Sequence, residues 1–219
     1  MSRKDEFKSV SSNPATKSLE WKSDLKAFSY YDKEKGENVA VPLPFKFLVL
    51  KELHTVKGWH DKSQSGIYAN EVEWIGKDPL TVKAFKGGVI AKGIYKEIKE
   101  VITAQGSHYS RSIYCMLSNG DIANIQLKGS SVQAWGDFTL KSRARLSDEW
   151  VGVEAAEEMK KGKVDYSVPV FKYHQPISKE DDVKAEDNYK TLKDYFEGYL
   201  SDKVVEVAEL VEIGEPLPF

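Results

Sequence analysis

A chain of 219 residues with 41% hydrophobic and 30% charged residues has room for one substantial core and excludes wholesale disorder. No apolar run reaches the length of a bilayer span, and the first residues, "MSRKDEFKSVSSNPATKS", lack the apolar stretch of a signal peptide, so a cytoplasmic protein is expected. The net charge of −2 conceals a split: residues 175–219 carry twelve acids against five lysines, a balance of −7, which leaves +5 on the rest. A mildly basic body with an acidic tail suits a nucleic-acid binder with a separate interaction segment, although two solvated faces would give the same count.

In chain order, residues 1–18 have no periodicity and read as a flexible arm. Residues 19–176 read as one strand-rich domain. It opens with a hairpin in "DLKAFSYYDKEKGENVAVPL" around Gly36 and continues through "FKFLVLKEL" and "GIYANEVEW". In the latter, Tyr68, Val72 and Trp74 fall on one face and Ile67, Ala69, Glu71 and Glu73 on the other. "LTVKAFKGG" is a further strand stopped by its glycines. Ile94, Ile98, Val101 and Ile102 then recur at helical spacing, with Gly106 as a stop. Asn119-Gly120 marks another hairpin, "SSVQAWGDF" a short serine-capped helix, and "KKGK" the turn of a last hairpin in which Pro169 demands a sheet edge. Ala185, Tyr189, Leu192, Phe196 and Tyr199 describe an amphipathic helix over 177–203. Residues 204–219 form an acidic tail ending in Pro-Phe.

Strands with one inserted helix and a C-terminal helix predict a mainly β protein, with an oligonucleotide-binding type of curved barrel favoured and a β-sandwich as the rival. Buried positions are expected for Tyr114, Trp74, Trp135 and Trp150, and for the single cysteine, Cys115, which excludes an intramolecular disulfide and a Cys-based zinc site.

Catalytic signatures are missing. His54 and His60 lie six residues apart, His108 and His174 stand elsewhere, and no H-E-x-x-H, phosphate-binding glycine loop or G-x-S-x-G motif occurs. A non-catalytic protein without cofactor or metal is expected. Aromatic residues interleaved with bases are abundant instead, the composition that stacks bases and neutralises phosphates along a single strand. In "VKGWHDKSQSGIY", read as a loop, Trp59 and His60 stand between Lys57 and Lys62, with Tyr68 just beyond; Trp59 either stacks on a base or folds back over the barrel end. Strand alternation puts Lys83 and Phe85 on one face of "TVKAFKGG" with Lys86 on the other, and lets Tyr109 and Arg111 share a face in "HYSRSIY". Lys141, Arg143 and Arg145 form a basic triplet suited to phosphates or to a solvated strand edge.

On the phrases "KGIYKEIKE", "SIYCML", "IANIQLKGSSVQAW" and "GKVDYSVPVFKYHQPIS", residues 45–200 resemble the single-stranded DNA-binding proteins of phage replication modules. The resemblance implies an oligonucleotide-binding barrel that coats single-stranded DNA during replication or recombination in a bacterial host cell, with no cofactor. The tail is similar to that of bacterial single-stranded DNA-binding proteins, which close an acidic segment with an apolar residue, Pro and Phe. Here Glu212, Glu215, Leu217, Pro218 and Phe219 match, with spaced glutamates in place of a dense acidic run. The similarity implies a tip that recruits other replication or recombination proteins; the alternatives are a tail that adds a strand to the body, and a virion-associated or protein-interaction protein that binds no nucleic acid.

Overall fold

The computed structural model describes residues 13–212, with side chains from 13 to 197. Among the described residues, 50% are strand and 26% helix. The backbone of the molecule is β4 (Phe45–His60), whose sixteen residues pair with three different strands. Along one edge runs β8 (Ser107–Leu117), antiparallel from Phe47↔Leu117 to Gly58↔Ser107, with a bulge between Val49 and Lys51. The other edge is divided: its start pairs with β10 (Glu149–Lys161) and its end with β5 (Ser65–Ala69).

From β8 the sheet continues through β9 (Ile122–Lys128), β1 (Lys17–Lys22), β2 (Ala27–Asp32) and β3 (Glu37–Ala40), with β1 and β9 parallel. From β5 it continues through β6 (Leu80–Ala84) to β7 (Gly88–Gly93). A branch adds β11 (Val164–Pro176), which pairs with β10 alone, so Pro169 does sit on an edge strand. The expectation of a mainly β protein with helices among and after the strands holds. The sheet has eleven strands and does not close: its path ends at β3 and β7.

Because side chains alternate along β4, the strand separates two environments. Toward one side, Val56, Ile67, Leu80 and Val82 pack under α1 (Tyr95–Ala104) through Ile98 and Ile102, an i,i+4 pair; Val101 of the expected stripe is exposed. Farther along the same side Phe47, Ile113, Cys115, Ile125 and Val151 pack under α2 (Ser130–Leu140), whose Trp135 is fully buried. No serine caps α2; Gly129, at φ +57, precedes it.

The opposite side is covered at its β10 end by α3 (Lys179–Glu212), where Ala185, Leu192, Tyr195 and Phe196 meet Leu48, Leu53, Tyr114, Met116, Ile122 and Trp150. Each large apolar side chain so buried contributes roughly 1.5–3 kcal/mol. Ser178 caps the helix by accepting from the Asp181 N–H at 3.0 Å.

Three expectations change. The arm is shorter than residues 1–18: Asn13 Nδ2 donates to the Tyr114 hydroxyl (3.2 Å), Thr16 N–H to Ile122 O (2.9 Å), and β1 begins at Lys17. Trp74 is not core but 63% exposed, because β5 stops at Ala69 and the chain then crosses β4 by a single bridge between Val72 and His54. The helix does not end near residue 203: its backbone continues to Glu212, so that part of the acidic tail is neither irregular nor an added strand. Glu215, Leu217, Pro218 and Phe219 lie outside the described residues, as does the Glu212 side chain. Among the described residues no helix is long and apolar enough to cross a membrane.

Candidate nucleic-acid interface

Beyond the cover of Leu192, Tyr195 and Phe196, the same side of β4 continues with Thr55, Lys57 and Trp59. Two rows cross the strands here. Lys57 stands opposite His108 on β8 and Tyr68 on β5, and Tyr68 opposite Lys83 on β6. One step outward, Trp59 faces Gly66, and the Phe85 N–H donates to Gly66 O at 3.0 Å, which carries the ladder one residue past β6. Strand spacing alone sets the attachment points of Trp59 and Phe85 roughly 10 Å apart. Gly66 puts no side chain between them, and a Cβ there would meet nothing within 4 Å. The rings are open to water: Trp59 is 52% exposed, Tyr68 45% and Phe85 77%.

Trp59 is thus a strand residue rather than a loop residue. Two glycines fix the end of β4 against β8: a Cβ on Gly58 would lie 2.2 Å from Gly106 O, and one on Gly106, at φ +87, would lie 2.3 Å from Trp59 O. Only a strand pair without side chains at those points approaches so closely. His60 is not available for stacking in the same way. Its ring is held between Ser63 Oγ (2.7 Å) and Gln105 Oε1 (3.1 Å), where it anchors the turn that carries Lys62.

Inward of these rows lies a cleft of about 300 Å³ with a polar floor. Thr55, Ser110, Ser112, Asn124 and Gln126 are all buried on this side of β4, β8 and β9. Most are satisfied: Thr55 donates to Ala69 O or Asn70 O, Ser110 to Leu127 O and Ser112 to Asn124 Oδ1. Glu71 enters from the β5–β6 connection and accepts from the Tyr114 hydroxyl at 2.7 Å. Burial, and then the Glu71 carboxylate, push the Tyr114 phenol far above its ordinary value, so it stays a donor.

Burial holds the Lys57 ammonium below its usual pKa, against the pull of Glu20 and Glu71. Burial alone would raise the Glu20 carboxyl, but Lys128 and Lys22, at 3.2 and 3.3 Å, bring it below the usual carboxylate value. Lys57, Lys22 and Lys128 thus share this side with Glu20 and Glu71.

The remaining sequence candidates lie elsewhere. Tyr109 and Arg111 point to the other side of the sheet, away from Trp59. The Tyr109 hydroxyl meets His54 Nδ1 at 2.6 Å, while Arg111 and Arg143 both reach the Glu52 carboxylate, which also accepts from Trp135 Nε1–H at 2.7 Å. Arg145 forms a two-pronged pair with Glu149 and lies 4.1 Å over the Tyr173 ring. Lys141 follows the end of α2 and is exposed. Two of the three bases of the triplet, Arg143 and Arg145, are thus claimed by acids of the same chain. Lys83 and Lys86, by contrast, have no ion-pair partner among the described residues, and the Lys86 N–H is tied to Ser65 Oγ at 3.1 Å.

Sequence reasoning missed the polar floor, although Asn124 and Gln126 alternate with buried Ala123, Ile125 and Leu127 and so announce a polar face. Among the described residues no group of three His, Cys, Asp or Glu side chains is placed to hold a metal. No family model matches the chain, no curated protein matches its sequence, and no solved structure matches its fold.

Proposed function

We propose that the side of the sheet carrying Trp59, Tyr68 and Phe85 is a binding surface for single-stranded nucleic acid, and that the protein is a non-catalytic single-strand binder of the kind active in phage replication or recombination. The observation that supports this best is the pair of cross-strand rows: three exposed rings, with a glycine gap between two of them, alternating with Lys57 and Lys83. Rings attract the π-faces that single strands expose and duplexes hide, and lysines take the phosphates, so the surface needs no base-specific contact to bind. Lys128, opposite Ser110, lies on the same side of the sheet.

Titration of labelled single-stranded DNA, duplex DNA and RNA at several salt concentrations tests the proposal. Single strands are expected to bind more tightly than duplex, and more weakly as salt rises. Trp59→Ala and Phe85→Ala should each weaken binding by about 1–3 kcal/mol and change folding stability by no more than about 0.5 kcal/mol. Equal affinity for duplex, or full binding by both variants, would refute it.

A further inference from the structure

The polar cleft holds a group that the surface reading does not use. Gln126 is only 6% exposed, and among the described residues its Oε1 has no hydrogen-bond partner. A buried amide oxygen left unpaired is costly, so the described residues leave an acceptor here without an occupant. In the same cleft, Glu71 Oε1 accepts among the described residues from the Asn124 amide at 3.5 Å, the limit of a hydrogen bond, while Glu71 Oε2 is taken by Tyr114. Lys57 lines the same cleft as a donor, within electrostatic reach of Glu71, and Tyr68 stands in the row that Trp59 and Phe85 adjoin. At about 300 Å³ the cleft is at the small end of ligand sites, which run from roughly 300 to 1,000 Å³.

What fills such a site must bring adjacent donors for a carboxylate and an amide oxygen, and one acceptor for an ammonium. Among nucleobases, thymine offers one donor between two acceptors, and cytosine and adenine offer one amino group beside acceptors. Guanine alone places two donors, N1–H and N2–H₂, side by side with an acceptor, O6. A carboxylate receiving two N–H groups forms a charge-assisted pair of the stronger kind.

We propose that the cleft between Tyr68, Tyr114 and Tyr195 is a guanine pocket, in which Glu71 and Gln126 Oε1 accept from N1–H and N2–H₂ while Lys57 donates to O6. The inference rests on the reading of the adjoining rows as a single-strand surface. It adds a preference at one nucleotide to an otherwise sequence-tolerant interface.

The test uses the full chain and short thymine oligonucleotides carrying a single central dG, dA, dC or dI. The dG strand should bind about tenfold more tightly than the all-thymine strand, with dI, which lacks the N2 amino group, between the two. Gln126→Met removes the acceptor without leaving a hole. It should erase most of the dG advantage, keep the affinity for the all-thymine strand, and melt no earlier than the parent, since an unpaired buried oxygen is lost. If all strands bind within about twofold of one another, or dA or dC is preferred, the pocket is refuted and the surface reading stands. If no strand binds, both fall. A dG preference that survives in Gln126→Met also overturns the assignment.

Discussion

On one side of β4, Lys57 and Trp59 share a surface with Tyr68, Lys83 and Phe85; on the other, His54 shares one with Tyr109, Arg111 and Arg143. Both sets join rings to bases, and a tally of aromatic and basic residues would not tell them apart. They differ in what the chain itself supplies. On the second side Glu52 reaches in from β4, gathers Arg111, Arg143 and the Trp135 N–H, and converts the cations into internal structure. On the first side the acids are set back toward β1 and the β5–β6 connection, against Lys128, Lys22 and Tyr114, while Lys83 has no ion-pair partner among the described residues. A base is available to a phosphate only where no carboxylate of the same chain has claimed it first. The two sides should therefore separate in experiment, one controlling stability and the other binding.

The largest expected effect lies on the closed side. Trp135 is fully buried between Phe47, Phe138 and Phe171 and donates to Glu52. Trp135→Ala should cost about 3–5 kcal/mol of stability, read from denaturant unfolding. Trp135→Phe, which keeps a ring but removes the donor and part of the ring volume, should cost less, about 1–3 kcal/mol. At a temperature where the Phe variant is folded, its affinity for single strands should match that of the parent; a loss in proportion to stability would mean that the two sides are not separable.

A smaller effect compares cations across the sheet. Lys57→Ala and Lys83→Ala should each make the slope of log affinity against log salt shallower, by about 0.7 for a lysine that neutralises one phosphate of a single strand. Arg143→Ala and Arg145→Ala, which break pairs with Glu52 and Glu149, should leave that slope alone. Should the arginine variants flatten the slope and the lysine variants not, the assignment of the two sides would have to be exchanged.

How far the sequence discloses this division depends on the distance over which each cause acts. The turns at Gly36, Asn119-Gly120 and Gly162, the helix of Ile98 and Ile102, and the edge position of Pro169 follow from neighbouring residues, and the molecule has them as expected. Arg145 could be read too, because Glu149 follows it by four residues. Arg111 and Arg143 could not, since their acid, Glu52, is remote in sequence. Trp59 reads as a loop residue because glycine and lysine surround it. Gly58 is there to admit the Gly106 backbone of the next strand, and Lys57 because that side faces a cleft. Trp74 reads as core from an alternation that the chain abandons at Ala69. Where the periodic signal was right but the strand ended early, only the three-dimensional path reveals the error.

The smallest expected effect returns to the closed side and concerns pH. Burial, and then the positive charges of Arg111 and Arg143, hold the His54 imidazole below its ordinary value of 6.5, while Glu52 acts the other way. In the unfolded chain His54 takes a proton near its ordinary pKa; in the folded chain it stays neutral to lower pH, its Nδ1 close to the Tyr109 hydroxyl. Between those two values the unfolded state binds more protons, so stability falls as pH falls and recovers as pH rises. The urea midpoint should therefore drop from about pH 7 to about pH 5.5, and His54→Gln, which keeps a polar partner for Tyr109 but cannot titrate, should drop less. Single-strand affinity should show no such difference between the two proteins, because His54 points away from the rows of Trp59 and Phe85. Parallel midpoint curves for parent and variant would remove His54 as the source of the acid sensitivity, and a difference in binding alone would place it on the wrong side of the sheet.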